Sequence, residues 1–190
     1  MMSFVYELVP VVGIPAVTKG DDIAAVISPA LAAVTWVDGT TGLRGTDIVV
    51  IAGKIVAKAQ GKYTRRDEVR AEAFEDFDAM NLLMFRAVPP KLALYRPEKP
   101  DEAAGQIRRG LAARFGGRPG VIVTGSERER KRGQGRRDIA LGSAGVDYTT
   151  ERGEAIADVL AGIGGLAMNQ SEDCPVVVIR GVNDVLTYED

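Results

Sequence analysis

The sequence predicts an α+β protein in which mixed or antiparallel sheets are flanked by helices. Short apolar runs typical of buried strands recur along the 190 residues, and segments with apolar residues at the helical spacing lie among them. The two kinds of segment do not alternate strictly, as they do in a doubly wound parallel sheet. With 46% hydrophobic and 26% charged residues, the chain predicts a single domain over residues 1–190, or two interlocked lobes of about 1–96 and 97–190.

The N-terminal third predicts a strand, a turn and a capped helix. Phe4–Val12 is rich in β-forming residues and ends at the turn Gly13–Ala16. Asp21 or Asp22 caps the helix that follows, because a short acidic side chain accepts hydrogen bonds from the first helical amides. The glycines and threonines of Val34–Thr46 then predict a loop.

The middle of the chain predicts a buried strand and a long helix. Asp47–Ala52 is continuously apolar after its first residue, and Lys54–Lys58 is expected to extend the strand past an irregularity at Gly53. From Arg65 to about Arg86 the apolar residues follow the helical period, and the prolines after residue 88 end the helix.

The C-terminal half predicts two more helices around three short strands. One helix begins at Asp101 and the other covers Glu151 to about Met168. The strands are Gly120–Thr124, Asp138–Ser143 and Val176–Arg180. Glu127–Arg137 contains no apolar residue and predicts a loop.

Composition excludes several classes of function. The chain contains no histidine, which removes the Ser-His and Cys-His nucleophile systems and most zinc or iron sites. Any metal must bind oxygen ligands, which favours Mg²⁺ or Mn²⁺ beside phosphates. Cys174 is the single cysteine and can form no intrachain disulfide. The net charge of -2 argues against nucleic acid as the main partner.

Localisation follows from what the sequence does not contain. No apolar run approaches the ~20 residues of a membrane-spanning helix. The first residues lack the basic and apolar regions of a secretory signal. A cytoplasmic protein without a membrane partner is therefore expected.

Several segments, taken in order, resemble the coenzyme F-420 (F420) γ-glutamyl ligase family. They are Gly13-Ile14-Pro15 with Gly20-Asp21-Asp22, Asp47 to Gly61, Pro100 to Arg108, Gly120 to Thr124 with Asp138 to Gly145, and Met168 to Gly181. The resemblance implies the fold of that family, binding of GTP with Mg²⁺ or Mn²⁺, and a homodimer. It also implies phosphorylation of a carboxylate on F420 or a related acidic small molecule, followed by displacement of phosphate by the amine of glutamate.

The resemblance also assigns candidate site residues. Lys58 falls on the phosphate-facing lysine of the family and is the catalytic candidate. Further nucleotide contacts fall on Gly13, Ile14, Pro15, Ala16, Ala52, Gly53, Met168, Asn169, Gln170, Ser171, Glu172 and Asp173, the last six in a loop that wraps the nucleotide. Simpler alternatives stay open: a strand-ending turn at Gly13, a solvated strand-edge lysine at Lys58, and a helix C-cap neighbour at Gln170.

The metal site departs from the family pattern. Ser126 and Gln170 match ligand positions, but Gly125 stands where the family has an aspartate. A further acidic motif has no room before Pro100. The segment Ala144-Gly145-Val146-Asp147 resembles that acidic motif, so Asp147 is an alternative metal ligand. The alternative is that Ala144-Gly145-Val146 simply matches the residues that the family ordinarily has at this place.

Two functions are therefore compatible with the sequence. One is a GTP-dependent ligase that joins glutamate to F420 or a related molecule. The other is a catalytically impaired relative that binds nucleotide or coenzyme as a subunit, with a partner chain completing the site. The basic residues of Glu127–Arg137 either hold phosphate or form a solvated loop; they lack the aromatic residues on which nucleic-acid bases stack.

Overall fold

A five-stranded mixed sheet organises the residues that the computed structural model describes, which are 5–65, 83–84, 92–128, 136–170 and 174–187. In chain order the elements are β1 (Glu7–Val11), α1 (Ile23–Ala32), β2 (Ile48–Ala52), α2 (Gly53–Ala59), β3 (Tyr63–Arg65), β4 (Leu83–Met84), β5 (Leu92–Leu94), α3 (Pro100–Phe115), β6 (Gly120–Arg128), β7 (Arg136–Ala144), α4 (Ile156–Gln170) and β8 (Val176–Arg180). A short 3-10 helix, Asn183–Val185, follows β8.

The sheet topology confirms the predicted α+β class. The strand order is β1-β8-β2-β6-β7, and a second sheet has the order β3-β5-β4. In the larger sheet β2 and β6 run parallel, whereas the β1–β8, β2–β8 and β6–β7 pairs are antiparallel. Because most neighbouring strands are antiparallel, the fold differs from a doubly wound sheet.

Helices cover both faces of the five-stranded sheet. Val49 and Ile51 of β2 pack into a core shared with α1, α2 and α3. Ile48 and Val50, which point to the other face, pack into a core with α4. A strand that is buried on both faces must be apolar at every position, and this explains the continuous apolar run of β2.

The N-terminal end of α1 confirms the predicted cap and selects Asp22 from the two candidates, Asp21 and Asp22. The Asp22 carboxylate accepts a hydrogen bond from the Ala25 N–H at 3.2 Å. Helix α1 then crosses α3 closely, since a Cβ atom on Gly110 would lie 2.6 Å from the Cβ of Ala24. Gly110 is therefore what lets the two helices approach.

The predicted extension of strand β2 through Lys54–Lys58 is wrong. β2 ends at Ala52, whose N–H donates to the Pro175 carbonyl at 2.8 Å, and helix α2 begins at Gly53. The segment contains three consecutive apolar residues, a pattern that fits a buried strand or a short buried helix equally well. In the helix Lys54 and Lys58 are four residues apart and share one half-buried face.

Two other predicted boundaries change. Leu83 and Met84 form strand β4, so the helix predicted to reach Arg86 does not include them; the rest of that segment from 66 to 91 lies outside the described residues. The ends of the predicted loop Glu127–Arg137 belong to the β6–β7 hairpin, where Glu127 pairs with Arg137. The hydrogen-bonded pairing of β6 with β7 continues outward from the buried part of the hairpin. It places these polar residues in strands although their composition favours a loop.

Candidate functional site

Several strands of the larger sheet meet at one edge. Val11 at the end of β1 and Ile51 near the end of β2 are both paired with Val176, the first residue of β8. Ala52, the last residue of β2, is paired with Thr124 of β6. We call the end of the sheet marked by Val11, Ala52, Thr124 and Val176 the site edge.

The predicted nucleotide-contacting segments converge on the site edge. Gly13–Ala16 follows β1 directly, and Ala52 and Gly53 form the junction between β2 and α2. Met168, Asn169 and Gln170 lie in the last turn of α4, shortly before β8. These segments are far apart in sequence, and the sheet topology brings them together.

The predicted nucleotide-wrapping loop is partly helical. Met168–Gln170 belongs to α4, which corrects the prediction that a loop starts at Met168. The α4 helix follows an apolar face that packs on the sheet, so the helix continues for as long as that face has a surface to cover. Ser171, Glu172 and Asp173 lie outside the described residues.

The turn after β1 presents its backbone at the surface. Gly13 has a φ of 77°, in the left-handed region that glycine adopts easily, and it is exposed. Ile14 packs against the core beneath α1, whereas Pro15 and Ala16 are exposed. The turn is therefore anchored at one residue and open at the others, as both the predicted ligand contact and a plain strand-ending turn require.

Gly53 is needed for packing in its own right. A Cβ atom there would lie 2.8 Å from the Thr124 carbonyl oxygen and 3.6 Å from Cδ of Pro97. The backbone of α2 thus contacts that of β6 directly at the site edge. This packing accounts for a glycine at residue 53 with or without a ligand.

Two lysines lie on one face of α2 at different distances from the site edge. Lys54 is in the first turn of the helix, close enough to Cys174 for its charge to oppose the rise that burial causes in the pKa of the Cys174 thiol. Lys58 is in the last turn, about 6 Å further along the axis. The strand-edge alternative for Lys58 is wrong, because the residue is helical. Sequence reasoning missed Lys54, since the spacing pairs it with Lys58 only in a helix.

Ser126 forms a hydrogen bond with a carboxylate across the β6–β7 hairpin. Its Oγ donates to Oδ1 of Asp138 at 2.6 Å, and the two residues are register partners. Ser126 lies two residues past Thr124, or about 7 Å beyond the site edge. Asp138 was predicted only as the start of a strand. The signal for it is the hairpin register, which the sequence does not reveal.

The position of Gly125 is filled by a neighbouring side chain. A Cβ atom on Gly125 would lie 2.6 Å from Cδ1 and 3.1 Å from Cγ of Leu141. Leu141 of β7 therefore occupies the space next to Gly125. A carboxylate at residue 125 would require Leu141 to move.

Asp147 lies away from the other metal candidates. It follows Ala144, which is paired with Val121 near the start of β6, whereas Ser126 is paired with Asp138 at the other end of β7. Ala144 and Asp138 are six residues apart, about 20 Å along a strand. The structure thus does not bring Asp147 to Ser126. Among the described residues, no three acidic or cysteine side chains are grouped for a metal ion.

A cleft of about 440 Å³ opens elsewhere, between the start of α1, the end of α2 and the middle of α3. Asp21 and Asp22 line it, but both carboxylates already have partners. Asp21 accepts from the Thr18 N–H at 2.7 Å, and Asp22 pairs with Arg114 at 3.1 Å. An acidic rim of this kind repels phosphates and carboxylates, so the site edge is the better candidate for an anionic ligand.

Comparison with known proteins points to one family. The profile described as F420-0:Gamma-glutamyl ligase matches residues 12–81 and 84–181. Relatives named coenzyme F420:L-glutamate ligase include those of Archaeoglobus fulgidus, with 26% identity over 93% of this chain and 88% of the relative, and Methanothermobacter thermautotrophicus, with 28% over 92% and 88%. The Halorubrum lacusprofundi relative is 27% identical over 92% and 86%.

The length of these alignments shows that this chain is shorter than its relatives over the matched region. They extend over 229 to 233 positions, more than the 190 residues present here. The relatives therefore contain segments that this chain lacks.

Among the described residues, no helix combines the length and apolar character that are needed to cross a bilayer.

Proposed function

Because the chain belongs to the F420-0:gamma-glutamyl ligase family, we propose that it joins glutamate to the carboxylate of coenzyme F420, or of a related acidic small molecule, through an amide bond. GTP supplies the energy. The observation that carries the proposal is the convergence of Gly13–Ala16, Ala52–Gly53 and the end of α4 on the site edge. The relatives' names support the acceptor and glutamate as substrates.

The proposed reaction has two steps. The acceptor carboxylate takes the terminal phosphoryl group of GTP, which forms an acyl phosphate and releases GDP. The amine of glutamate then attacks the acyl carbon, the amide bond forms, and phosphate leaves while the amine gives up its proton to solvent. Charge among the phosphate oxygens makes up most of the first barrier, so the site needs cations and hydrogen-bond donors and no histidine.

The chain's own cations have defined parts in this proposal. Lys54 lies at the site edge and Lys58 one turn further along the same face of α2. A lysine ammonium acts as a point charge that suits a polyphosphate. Two of them in line along one helical face would neutralise neighbouring phosphates, with the exposed backbone of Gly13 as an additional contact.

The oxygen donors at the β6–β7 hairpin fit Mg²⁺ or Mn²⁺. Ser126 offers a hydroxyl, which donates to Oδ1 of the Asp138 carboxylate at 2.6 Å, while Oδ2 of Asp138 packs against the backbone of Gly165. Both are the hard oxygen ligands that these cations prefer, and Mg²⁺ beside a nucleotide commonly uses only one or two protein carboxylates. Gln170 is a further proposed ligand. When bound, the cation would offset the charge of the phosphates.

A coupled assay tests the proposed function. The purified chain is incubated with GTP, Mn²⁺, glutamate and F420, and both phosphate release and the mass of the product are measured. We expect phosphate and a product heavier by one glutamyl residue in equal amounts. Omission of glutamate and replacement of GTP by ATP are the controls. The absence of both phosphate and amide product would refute the proposal.

A nucleotide- or coenzyme-binding subunit is the second candidate, and the packing of Leu141 against Gly125 favours it. If one metal-binding carboxylate is lost without replacement, the chain would bind GTP without turning it over. Calorimetric binding of GTP that is independent of divalent metal would support this function, and turnover would exclude it. The predicted homodimer is tested separately by light scattering during size-exclusion chromatography.

A further inference from the structure

Leu141 is the extra residue of a β-bulge in strand β7. Val123 of β6 is paired with Gly142. The next residue, Thr124, is paired with Ala140, so Leu141 has no partner on β6. In a regular strand Leu141 would point to the face opposite that of Gly142, because successive side chains alternate. The bulge turns it instead to the face covered by α2 and α3, as bulges do when they redirect a side chain.

Leu141 fills a corner between two glycines. Its Cδ1 would lie 2.6 Å from a Cβ atom on Gly125 and 3.4 Å from one on Gly53. Cδ of Pro97, which would be 3.6 Å from the same Cβ of Gly53, closes another side. Gly53, Pro97 and Gly125 are buried, and Leu141 is half-buried. We call these four residues the glycine corner, and none of them carries a polar side-chain atom.

Hydrogen bonds to two helices hold the backbone on both sides of the bulge. The Ala140 N–H donates to Oδ1 of Asp158 in α4 at 2.9 Å. The Ser143 N–H donates to Oδ1 of Asp101 in α3, also at 2.9 Å. Because both flanks are fixed, the backbone cannot carry Leu141 out of the corner. The leucine is therefore a built part of the corner.

The glycine corner adjoins the site edge. Gly53 directly follows Ala52, the last residue of β2. Gly125 directly follows Thr124 of β6. A carboxylate at residue 125, where the family resemblance places an aspartate, would be a hard oxygen ligand for a cation beside nucleotide phosphates. Leu141 offers only methyl groups there, so a cation in the corner would lose water ligands without gaining oxygen ligands in return.

We infer that Leu141 is a specificity-determining residue: it closes the glycine corner to a divalent cation, and a cation that accompanies the nucleotide binds outside the corner. The inference rests on the proposed function, in which the nucleotide lies at the site edge. Gly125 and Leu141 form a matched pair, because the leucine occupies the space that a carboxylate and its cation need. A carboxylate introduced at residue 125 should therefore bind metal only after Leu141 is shortened.

Three variants test this dependence: Gly125→Asp, Leu141→Ala and the double variant. Free Mn²⁺ is measured by electron paramagnetic resonance during titration of the protein with a non-hydrolysable GTP analogue present. We expect the double variant to bind Mn²⁺ about 10-fold more tightly than the wild type, because the new carboxylate then has room. Each single variant should keep the wild-type affinity, since one adds no ligand and the other leaves the leucine in place.

Gly125→Asn in the Leu141→Ala background is the matched control. It fills the same space as the aspartate without the negative charge, so the Mn²⁺ affinity should stay at the wild-type value. Two results would overturn the inference. One is a gain in Gly125→Asp alone that equals the gain of the double variant, and the other is a double variant with wild-type affinity.

The contact between Leu141 and residue 125 can be tested without metal. Gly125→Ala adds a Cβ atom 2.6 Å from Cδ1 of Leu141, so it should lower the unfolding temperature of the wild type. In the Leu141→Ala background the same substitution should have little effect, because the space is free. An equal lowering in both backgrounds would contradict the role of Leu141, even if Gly125→Asp fails to fold.

The Mn²⁺ titration and the ligase assay separate this inference from the proposed function. A gain in Mn²⁺ affinity confined to the double variant, in a chain that forms no amide product, would support the role of Leu141 and refute the ligase function. Amide product from the wild type, together with a gain in Gly125→Asp alone, would leave the ligase function standing and overturn the inference.

Discussion

Arg180 and Asp47 form a buried ion pair that holds the glycine-rich loop before β2 against the last strand. Nε of Arg180 lies 2.7 Å from Oδ1 of Asp47, and Nη2 lies 2.8 Å from Oδ2. The guanidinium also stacks 3.5 Å from the centre of the Trp36 ring and donates to the Gly42 carbonyl. One cation thus joins β8, the start of β2 and the loop between α1 and β2.

Loss of this pair should destabilise the protein strongly. Asp47 has no exposed surface, so Asp47→Asn leaves the Arg180 charge buried without its partner. We expect the free energy of unfolding to fall by about 3 kcal/mol, as measured by urea denaturation. Asp38→Asn is the control, because the Asp38–Arg44 pair is exposed and screened by solvent. An equal change in the two variants would contradict the role assigned to Arg180.

The two lysines of α2 should both contribute to nucleotide affinity. If the ammonium groups of Lys54 and Lys58 neutralise phosphate, Lys54→Ala and Lys58→Ala should each weaken GTP binding by about 10-fold, the loss expected for one charged hydrogen bond. Calorimetry measures the dissociation constants. Lys19→Ala, an exposed lysine near the far end of α2, should have no effect. GTP affinity that survives both α2 substitutions would remove the lysines from the proposed site.

Two glycine-to-alanine substitutions should have opposite effects on stability. In Gly53→Ala the new Cβ would lie 2.8 Å from a backbone oxygen of Thr124, which cannot yield easily, so we expect a loss of about 1–3 kcal/mol. In Gly162→Ala the nearest atom is 3.7 Å away, and alanine favours the interior of α4. We expect a gain of up to about 1 kcal/mol there. Thermal and urea unfolding of the two variants measure both changes.

The stability of the protein should fall at alkaline pH through Tyr148. Its hydroxyl donates to Oδ1 of Asp101 at 2.5 Å, and burial, together with Asp101, raises the pKa of Tyr148 well above its ordinary value of 10.0. The unfolded chain therefore loses the tyrosine proton at a lower pH than the native chain. Because the native state then binds more protons, its stability is fully present below pH 10 and decreases above it.

Tyr148→Phe tests this dependence. The variant lacks the ionising group, so its free energy of unfolding should decline less than that of the wild type between pH 10 and pH 11. Of the five tyrosines of the wild type, the variant lacks Tyr148, whose pKa is raised, so a spectroscopic titration of tyrosinate should lose absorbance change at the alkaline end of the curve. Identical pH profiles for the two proteins would show that the Tyr148–Asp101 bond has no influence on stability.

Local patterns in the sequence were sufficient for much of the fold. A cap by Asp21 or Asp22, the buried strand β2 and the last strand β8 were all predicted, because each depends on neighbouring residues or on a continuous apolar run, and the structure selects Asp22 for the cap. Helix α2 was missed because the apolar run Ile55-Val56-Ala57 has only three residues. So short a run does not show whether apolar residues recur at the spacing of a helix or of a strand. Tertiary packing against β6 decides that case.

The sequence by itself determined the fold class, the family resemblance and the segments expected near a nucleotide, since these depend on composition and on motifs in order. The meeting of Gly13–Ala16 and Ala52–Gly53 at one edge, and the pairing of Ser126 with Asp138, were decided only by the tertiary structure. Strand order and hairpin register depend on contacts between distant residues, and no local spacing encodes them. The sequence shows only that residue 125 has no carboxylate, whereas the structure shows that Leu141 packs beside Gly125 and that the Asp138 carboxylate lies on the other face of the hairpin.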